Sequence, residues 1–571
     1  MIDLTQVREK GAVLPEALDK RIGMALSNGV VKEDFANKKN LFEYEQNLNT
    51  TPLKINQKFF EKRIAEERLM LSKDQKNIKL LKRVGDVYLA NKKPDKAKNY
   101  YNKAFMLNTD DLQTASKLAG VFMILSKPEK ANQVLDMLTA KEDSEILHLH
   151  AIAKMAVGDL DGSIKLLDKI QSDAKNYYEA VNTKGLINLI KDDPKDAEKC
   201  FILSIKANSN YSPAKNNLAV SYFSQNKVEK AMNQYRKVID EDSNYVLSFN
   251  NLFSILADQD EIAEAYKLML SAKHLANANN EIQFRTAWCE MRLGKYAEAI
   301  KSFEKVLDIL PNNSNTLNNI GYCYENLHEV QRAIEYFLLA TKGNNVTLYP
   351  YRNLMVTYDT VGEFEKSRKY ARIVLDNNPK DIQAMVLYGN GLVESEQWDG
   401  ALKYLLEAYK EKPNLASLYV SLAYIYADIY PDFEKGIEAV NIVLNRKMPK
   451  YEEIYNNYMH LLLVNNKVEE ANKLVKHLNP NHPVSLATLA LLQLKQDNVD
   501  ESKALFKRAI KLANSKFKDK IIQREYYDLA VYYRDKKDFN TAKKYFKSVV
   551  GLGDKGFKNL LTSAKLALED N

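Results

Sequence analysis

The chain has 571 residues, more than a single hydrophobic core normally supports, so the sequence predicts several domains or an open array of repeats. Only 19 residues are glycine and 14 proline, while 45% are hydrophobic, which excludes collagen-like and disordered chains and favours helices. The formal net charge is +8. Residues 501–571 hold 17 Lys and Arg against 9 Asp and Glu, so the preceding 500 residues are neutral overall and have no electrostatic reason to bind nucleic acid.

The N-terminal segment, residues 1–77, has two predicted helices, one over residues 16–27 and a second from Asn56 to Leu71. Four apolar residues of the second helix are placed to cover the first repeat: Phe59, Ile64, Leu69 and Met70. The segment opens without the apolar core of a secretory signal, and no stretch of 18 uncharged apolar residues occurs. We therefore expect a chain without a membrane span. Its expected location is the cytoplasm, or the periplasm or envelope if a signal peptide has been removed.

Small residues that precede a large residue by three positions recur from Gly85 to Ala530, with Phe253, Met355 and Met459 filling three of the slots. The successive separations of these positions are 34, 32, eight of 34, then 36, 31 and 40. A second small residue follows 12 positions after each one, except after Ala423, where an apparent insertion lies beside Pro431. Two helices can approach closely where each presents a small residue. Each period is therefore predicted to be a pair of short antiparallel helices.

The pattern resembles the tetratricopeptide repeat family, whose 34-residue motif has small and large residues at set offsets. The matching residues of the first repeat are Leu81, Val84, Gly85, Tyr88, Ala97, Tyr101 and Ala104, and those of the eighth are Leu317, Ile320, Gly321, Tyr324, Ala333, Phe337 and Ala340. The resemblance implies an all-α superhelical solenoid. About 14 repeats are predicted, starting near residues 78, 112, 144, 178, 212, 246, 280, 314, 348, 382, 416, 452, 483 and 523.

Three domains follow from this division of the chain. Residues 1–77 are predicted to be a capping region of helical and extended structure, residues 78–550 the repeat array, and residues 551–571 a C-terminal capping helix. Caps are expected because the terminal repeat of a solenoid otherwise exposes its stacking face.

The sequence has no pattern typical of a catalytic, metal or cofactor site. The GxGxxG over residues 551–556 follows a helical pattern and not a strand, so it is interpreted as a helix-ending turn. His148 and His150 are two residues apart and point to different sides of a helix. The three cysteines are predicted to be buried thiols: Cys200, Cys289 and Cys323. We expect a protein that is not an enzyme and has no metal or cofactor.

The family resemblance implies that positions 2, 5, 9 and 12 of each first helix, with position 6 at the edge, line a concave face. We call these the inner-face positions. In the central repeats they give a predicted peptide-binding groove of amides and aromatics: Asn182, Asn216, Asn217, Asn250, Asn251, Phe284, Trp288, Asn318, Asn319, Tyr322, Arg352 and Asn353. An amide can bond both the donor and the acceptor of a bound backbone. The alternative is that the asparagines only bridge adjacent helices.

The basic C-terminal end is predicted to dock on an acidic protein partner, with a solvated surface as the alternative. Its candidate residues are Lys516, Lys518, Lys520, Arg524, Lys536, Lys537, Lys543 and Lys544. The function predicted for the whole chain is a non-enzymatic scaffold or adaptor that binds one or more protein segments in its groove. Two alternatives remain open, a peptide- or ligand-responsive regulator and an architectural subunit of a bacterial envelope, secretion or motility assembly.

Overall fold

The structure, a computed structural model, describes residues 57–91, 93–138, 143–276, 279–411, 414–446, 448 and 452–569. Over these ranges all regular elements are helices, and the only β pairing is an isolated bridge between Asn313 and Asn344. The all-α prediction is confirmed. The helix predicted over residues 16–27 lies outside the described residues.

Two compact units make up the chain. The first ends at Glu329 and also includes Gly343–Asn345, and the second consists of Val330–Lys342 and Val346–Asn571. The helices of the first unit are α1 Gln57–Lys73, α2 Ile78–Ala90, α3 Pro94–Leu107, α4 Leu112–Ile124, α5 Pro128–Asp136, α6 Ser144–Val157, α7 Leu160–Leu167, α8 Tyr177–Ile190, α9 Pro194–Ala207, α10 Ser212–Ser224, α11 Val228–Glu241, α12 Val246–Asp258, α13 Ile262–Ser271, α14 Asn280–Arg292, α15 Tyr296–Leu307 and α16 Ser314–Asn326.

The helices of the second unit are α17 Val330–Ala340, α18 Tyr349–Thr360, α19 Phe364–Asn377, α20 Ile382–Glu394, α21 Trp398–Lys410, α22 Ala416–Tyr424, α23 Phe433–Asn445, α24 Glu452–Val464, α25 Val468–Asn472, α26 Pro483–Lys495, α27 Val499–Leu512, α28 Ser515–Asp535, α29 Phe539–Leu552 and α30 Lys558–Glu569. A π-helix, Ile425–Ile429, extends α22. Short 3-10 turns are Lys273–Leu275 in the first unit, and Val475–His477 and Gly553–Lys555 in the second.

Each first helix begins within one residue of its predicted start, with the exception of the last. That helix, α28, starts at Ser515 and not near residue 523, so it has 21 residues where the other first helices have 9 to 14. Its additional turns come from residues 515–522. These extra turns matter below because they carry Lys520 to a cavity in the second unit.

A residue with a left-handed backbone closes most first helices at the same point of the repeat. These residues recur every 34 positions from Gly158 to Glu396: Gly158, Asp192, Asn226, Asp260, Gly294, His328, Gly362 and Glu396. A left-handed residue lets the following N–H groups bond back to the last carbonyls of the helix, as when Lys227 N donates to Tyr222 O at 2.9 Å. The next equivalent position, Tyr430, has an ordinary φ of −124° because the π-helix replaces this turn.

Small residues of the first helix pack against large residues of the second, as the repeat pattern predicts. A Cβ on Gly85 would lie 2.5 Å from Tyr101 Cε1, and a Cβ on Gly185 would lie 2.4 Å from Phe201 Cε1. Tyr101 and Phe201 are both fully buried. Only a very small residue therefore allows these helix pairs to reach their observed separation.

Helix α1 packs on α2 in the first unit, and its contacts differ in part from prediction. Ile64 is half-buried against the core. Leu69 and Met70, which were expected to cover the first repeat, are instead 64% and 47% exposed. The buried residue near them is Glu67, which accepts a hydrogen bond from Arg83 Nη2 at 2.5 Å. Among the described helices, none has the length and apolar character needed to cross a bilayer.

Candidate functional site

The asparagines of the first unit form a chain of side-chain hydrogen bonds between successive repeats. Asn217 Nδ2 donates to Asn182 Oδ1 at 3.0 Å, and Asn251 Nδ2 donates to Asn216 Oδ1 at 3.0 Å. A bond of 3.4 Å from Asn216 Nδ2 to Asn217 Oδ1 links the two pairs. Asn182, Asn216 and Asn217 are no more than 5% exposed. Since they are buried and bonded to one another, these amides bridge adjacent helices and do not line an open surface.

This amide chain ends at the repeat in which Arg285 stands at the position of the asparagines. Asn250 Nδ2 donates to Glu281 Oε2 at 3.0 Å, and Arg285 Nη2 donates to Glu281 Oε1 at 2.6 Å. The Arg285 guanidinium also lies 4.5 Å from the ring centroid of Phe253. An ion pair therefore takes over the link between repeats here, and Asn250, only 6% exposed, is buried beside it.

Two further predicted groove residues, Phe284 and Asn318, are also buried. Phe284 packs against Phe303 with ring centroids 5.3 Å apart, and Asn318 is 9% exposed. Asn319, the next residue along α16, is half-buried. Phe284 and Asn318 therefore belong to the interior of the repeats, because their side chains are enclosed by neighbouring helices.

The accessible part of the predicted groove in the first unit is centred on Trp288 and Tyr322. Both residues occupy position 9 of their helices, α14 and α16, which contact each other. Trp288 is half-buried, with its ring edge-on to Phe253 at 5.6 Å and the Arg292 guanidinium 5.1 Å from its centroid. Tyr322 is 40% exposed. These aromatics present the kind of surface on which a partner residue can pack.

The remaining two predicted groove residues, Arg352 and Asn353, lie in the second unit. Arg352 forms an ion pair with Asp381, which is only 8% exposed. Asn353 is half-buried. The predicted site is therefore divided between the two units.

The second unit contains an enclosed site that the sequence analysis did not identify. Its cavity has a volume of about 280 Å³. One wall consists of inner-face residues from the repeats starting near 382, 416, 452 and 483, including Val393, Val420, Tyr424, Asn456, His460 and Leu491. The other wall comes from the C-terminal part of the chain, including Phe517, Lys520, Arg524, Phe557 and Asn559.

Arg524 lies at the centre of a buried network of charges in this site. Its Nη1 is 3.2 Å from Asp428 Oδ1, and its Nε is 3.1 Å from both carboxylate oxygens of Asp528. His460 Nε2 lies 2.8 Å from Asp428 Oδ1 and 3.0 Å from Arg524 Nη2. Burial by itself would raise the pKa of Asp428, but the charges of His460 and Arg524 and their hydrogen bonds hold this pKa below its usual range.

Lys520 lies one helical turn before Arg524 and faces the same cavity. Its Nζ donates to Glu396 Oε1 at 3.1 Å and lies 4.8 Å from the ring centroid of Phe557. Glu396 also accepts from the backbone N–H of Lys558 at 3.2 Å. Lys520 and Arg524 therefore connect the last repeat to repeats more than 90 residues earlier, and they do not form part of an exposed basic surface.

The other predicted docking residues stay at the surface of the second unit. Lys536 forms an ion pair with Asp497 at 2.6 Å, while Lys537 is exposed in a left-handed turn. The exposed lysines that remain are Lys518, Lys543 and Lys544. The side chain of Lys516 lies outside the described part of the structure.

Two sequence signals could have located the enclosed site. The predicted groove covers the central repeats, and the inner-face positions of the next four repeats include Tyr424, Asn456 and His460. The irregular repeat near Ala423 was a second signal, because its insertion forms the π-helix that carries Asp428. The pairing of Asp428 with Arg524 could not be predicted, since the two residues are 96 positions apart.

The histidines and cysteines that could carry catalytic or metal chemistry are bonded or buried as ordinary structural groups. Burial raises the pKa of the Cys289 and Cys323 thiols to about 12 and lowers the pKa of His148 to about 4. His148 Nε2 is 2.9 Å from Thr183 Oγ1. Gly553 ends α29. In the ranges that the structure describes, no group of three His, Cys, Asp or Glu could hold a metal ion.

Sequence comparison identifies relatives in archaea and eukaryotes. A TPR repeat-containing protein of Methanocaldococcus jannaschii is 22% identical over 447 residues, which cover 74% of this chain and 73% of that protein. The CTR9 homolog of Arabidopsis thaliana is 23% identical, with coverage of 63% and 38%, and the anaphase-promoting complex subunit CDC16 of Saccharomyces cerevisiae is 24% identical, with coverage of 35% and 25%. The chain thus spans well under half of the two eukaryotic relatives.

Similar solved structures include PilF of Pseudomonas aeruginosa, at 20% identity and a TM-score of 0.31, covering 35% of this chain and 92% of that one. The Cut9–Hcn1 heterotetramer of the APC/C matches at 13% identity and a TM-score of 0.30, covering 88% of this chain and 98% of that one. Models described as tetratricopeptide repeat match residues 81–111, 214–240, 281–313, 302–335 and 526–552. Together with the repeated helix pairs, these family-model matches show that the chain contains tetratricopeptide repeats.

Proposed function

We propose that this protein is an interaction scaffold that binds segments of partner proteins at the inner-face positions around Trp288 and Tyr322. The observation that carries the proposal is the accessible aromatic pair itself. The amides of Asn182, Asn216 and Asn217 are buried and bonded to one another, whereas Trp288 is half-buried and Tyr322 is 40% exposed, so the aromatics offer surface to a partner. A large aromatic residue on a firm support is typical of the residues that contribute most to a protein interface.

The rigidity of this surface supports the same proposal. Arg292 covers one part of the Trp288 ring, and Phe253 contacts its edge, so the ring is held in place before any partner arrives. A side chain that is already ordered loses little conformational entropy on binding. The name of one relative, a subunit of the anaphase-promoting complex, is consistent with a role in protein assembly. We further propose that residues 1–77 and 551–571 cap the array of residues 78–550, for which the packing of α1 on α2 is one support.

The proposal is tested by capturing partners with the full chain and then measuring the affinity of each by calorimetry. Replacing both Trp288 and Tyr322 with alanine should weaken binding at least about tenfold, because aromatic anchors commonly contribute more than about 1 kcal/mol each. The matched control is Ile202→Ala, since Ile202 is 47% exposed on a second helix. Equal affinity of the double variant and the wild type, with helicity preserved in both, would exclude this surface as the binding site.

A further inference from the structure

The cavity of the second unit has two buried acceptor atoms without a hydrogen-bond partner. Asn456 is only 7% exposed, and its Oδ1 has no donor within hydrogen-bond distance in the described part of the chain. On the opposite wall, Asn559 Oδ1 is likewise without a donor, while Asn559 Nδ2 donates to the Asp428 backbone carbonyl at 3.4 Å. A buried amide oxygen without a donor is unfavourable. Both atoms would be satisfied by a ligand that brings N–H groups.

The charge of the lining favours a cationic ligand. Four carboxylates line the cavity, from Glu394, Glu396, Asp428 and Glu453. The lining also holds Lys520, Arg524 and His460, which are already paired: Lys520 with Glu396, Arg524 with Asp428 and Asp528, and His460 with Asp428. Carboxylates therefore outnumber cations on the walls, and the excess negative charge attracts a positive group and repels an anion.

Much of the rest of the lining is apolar and aromatic. Trp398 and Tyr424 lie with their ring centroids 6.1 Å apart, and the aliphatic lining residues include Val420, Leu491 and Ile521. Aromatic faces attract ammonium groups, while the aliphatic side chains suit an alkyl chain. At about 280 Å³ the cavity is near the lower limit of small-molecule pockets, so the ligand must be small.

We propose that this cavity binds a small alkyl diamine in its protonated form, with its ammonium groups donating hydrogen bonds to Asn456 on one wall and Asn559 on the other. The site is complete only when α28 and α30 pack against the earlier repeats, because Arg524 and Asn559 supply the second wall. This site is separate from the aromatic surface of the first unit and does not depend on its function.

The test uses the full-length chain and 1,5-diaminopentane as the probe, with 1,5-pentanediol as its neutral counterpart of similar length. Calorimetry should show the diamine binding at least about tenfold more tightly than the diol, since only the diamine carries positive charge. Asn456→Leu removes the acceptor and should weaken diamine binding at least about tenfold. Asn456→Asp keeps an acceptor and adds a negative charge, so it should bind the diamine at least as well as the wild type.

The matched control is Asn465→Leu, in the turn that follows the same helix, because Asn465 Nδ2 donates to the Leu461 carbonyl and Asn465 is not part of the lining. A second readout is fluorescence. The chain has two tryptophans, so in a Trp288→Phe background the emission of Trp398 should change on addition of diamine. The proposal is wrong if the diamine fails to bind at about 10 mM, if the diol binds equally well, or if Asn465→Leu loses as much affinity as Asn456→Leu.

Discussion

The close packing of small residues against buried rings predicts that a Gly→Ala substitution lowers the free energy of unfolding at one site and raises it at another. At Gly185 a new Cβ would lie 2.4 Å from Phe201 Cε1 and 2.8 Å from Cδ1 and Cζ, whereas ordinary contacts are 3.4–4 Å. Because Phe201 is fully buried, its ring has to move by about 1 Å within a packed interior, and such overpacking typically costs about 1–3 kcal/mol. The higher helix propensity of alanine offsets up to about 1 kcal/mol of this cost. Gly185→Ala should therefore lower the free energy of unfolding by up to about 2 kcal/mol.

Gly120 provides the matched control, since it also lies within a helix but a Cβ there would meet no atom within 4 Å. Gly120→Ala should raise the free energy of unfolding by about 0.5–1 kcal/mol, because alanine has the higher helix propensity and its methyl group meets no other atom there. Urea denaturation followed by circular dichroism at 222 nm measures both changes. Adding Phe201→Leu to Gly185→Ala should recover part of the loss by making room for the new methyl group. If Gly185→Ala is as stabilising as Gly120→Ala, the reasoning from close packing is refuted.

Three further predictions concern charge. His148 has a pKa of about 4 in the folded chain against 6.5 in the unfolded chain, so its neutral form stabilises the fold above pH 6.5. Up to about 3 kcal/mol of this stability is lost as the pH falls toward 4. In urea titrations the free energy of unfolding should therefore fall more steeply with decreasing pH for the wild type than for His148→Gln, and parallel curves would contradict this. Arg524→Ala leaves Asp428 and Asp528 buried without the arginine and should lower the free energy of unfolding by about 3–5 kcal/mol in thermal or urea unfolding. The control Lys518→Ala, at the surface of the same helix, should lower it by under about 0.5 kcal/mol. Similar losses of stability in both variants would argue against the network. If the basic end docks on an acidic protein, the affinity should fall steeply above about 0.1 M salt. The affinity should also fall when the exposed lysines are replaced with glutamine, namely Lys518, Lys536, Lys537, Lys543 and Lys544. Binding that depends on neither salt nor these lysines would leave them as a solvated surface.

Local periodicity made most of the fold predictable from the sequence. Each repeat is defined by contacts within about 34 residues, such as Gly185 with Phe201, and these appear in the sequence as regular spacing. The candidate site was less predictable because burial depends on the neighbouring repeat as well as on position. Asn216 and Tyr322 both occupy inner-face positions, yet Asn216 is fully buried and Tyr322 is 40% exposed. The contact of Arg524 with Asp428 depends on how several repeats curve together, which no spacing in the sequence records.

The amide chain of the first unit also bears on how such an array can change its length in evolution. In each link, the asparagine at position 6 of one repeat donates to the asparagine at position 5 of the repeat before it, as Asn217 does to Asn182 and Asn251 does to Asn216. The repeat of residues 212–245 contains both halves of the link. A tandem copy of it would bond to both neighbours through the same pair of amides. Its loss would bring the position-6 amide of Asn251 opposite Asn182, and the link would form again. This stretch of the chain is therefore modular, and a whole repeat can be gained or lost without leaving a buried amide unpaired.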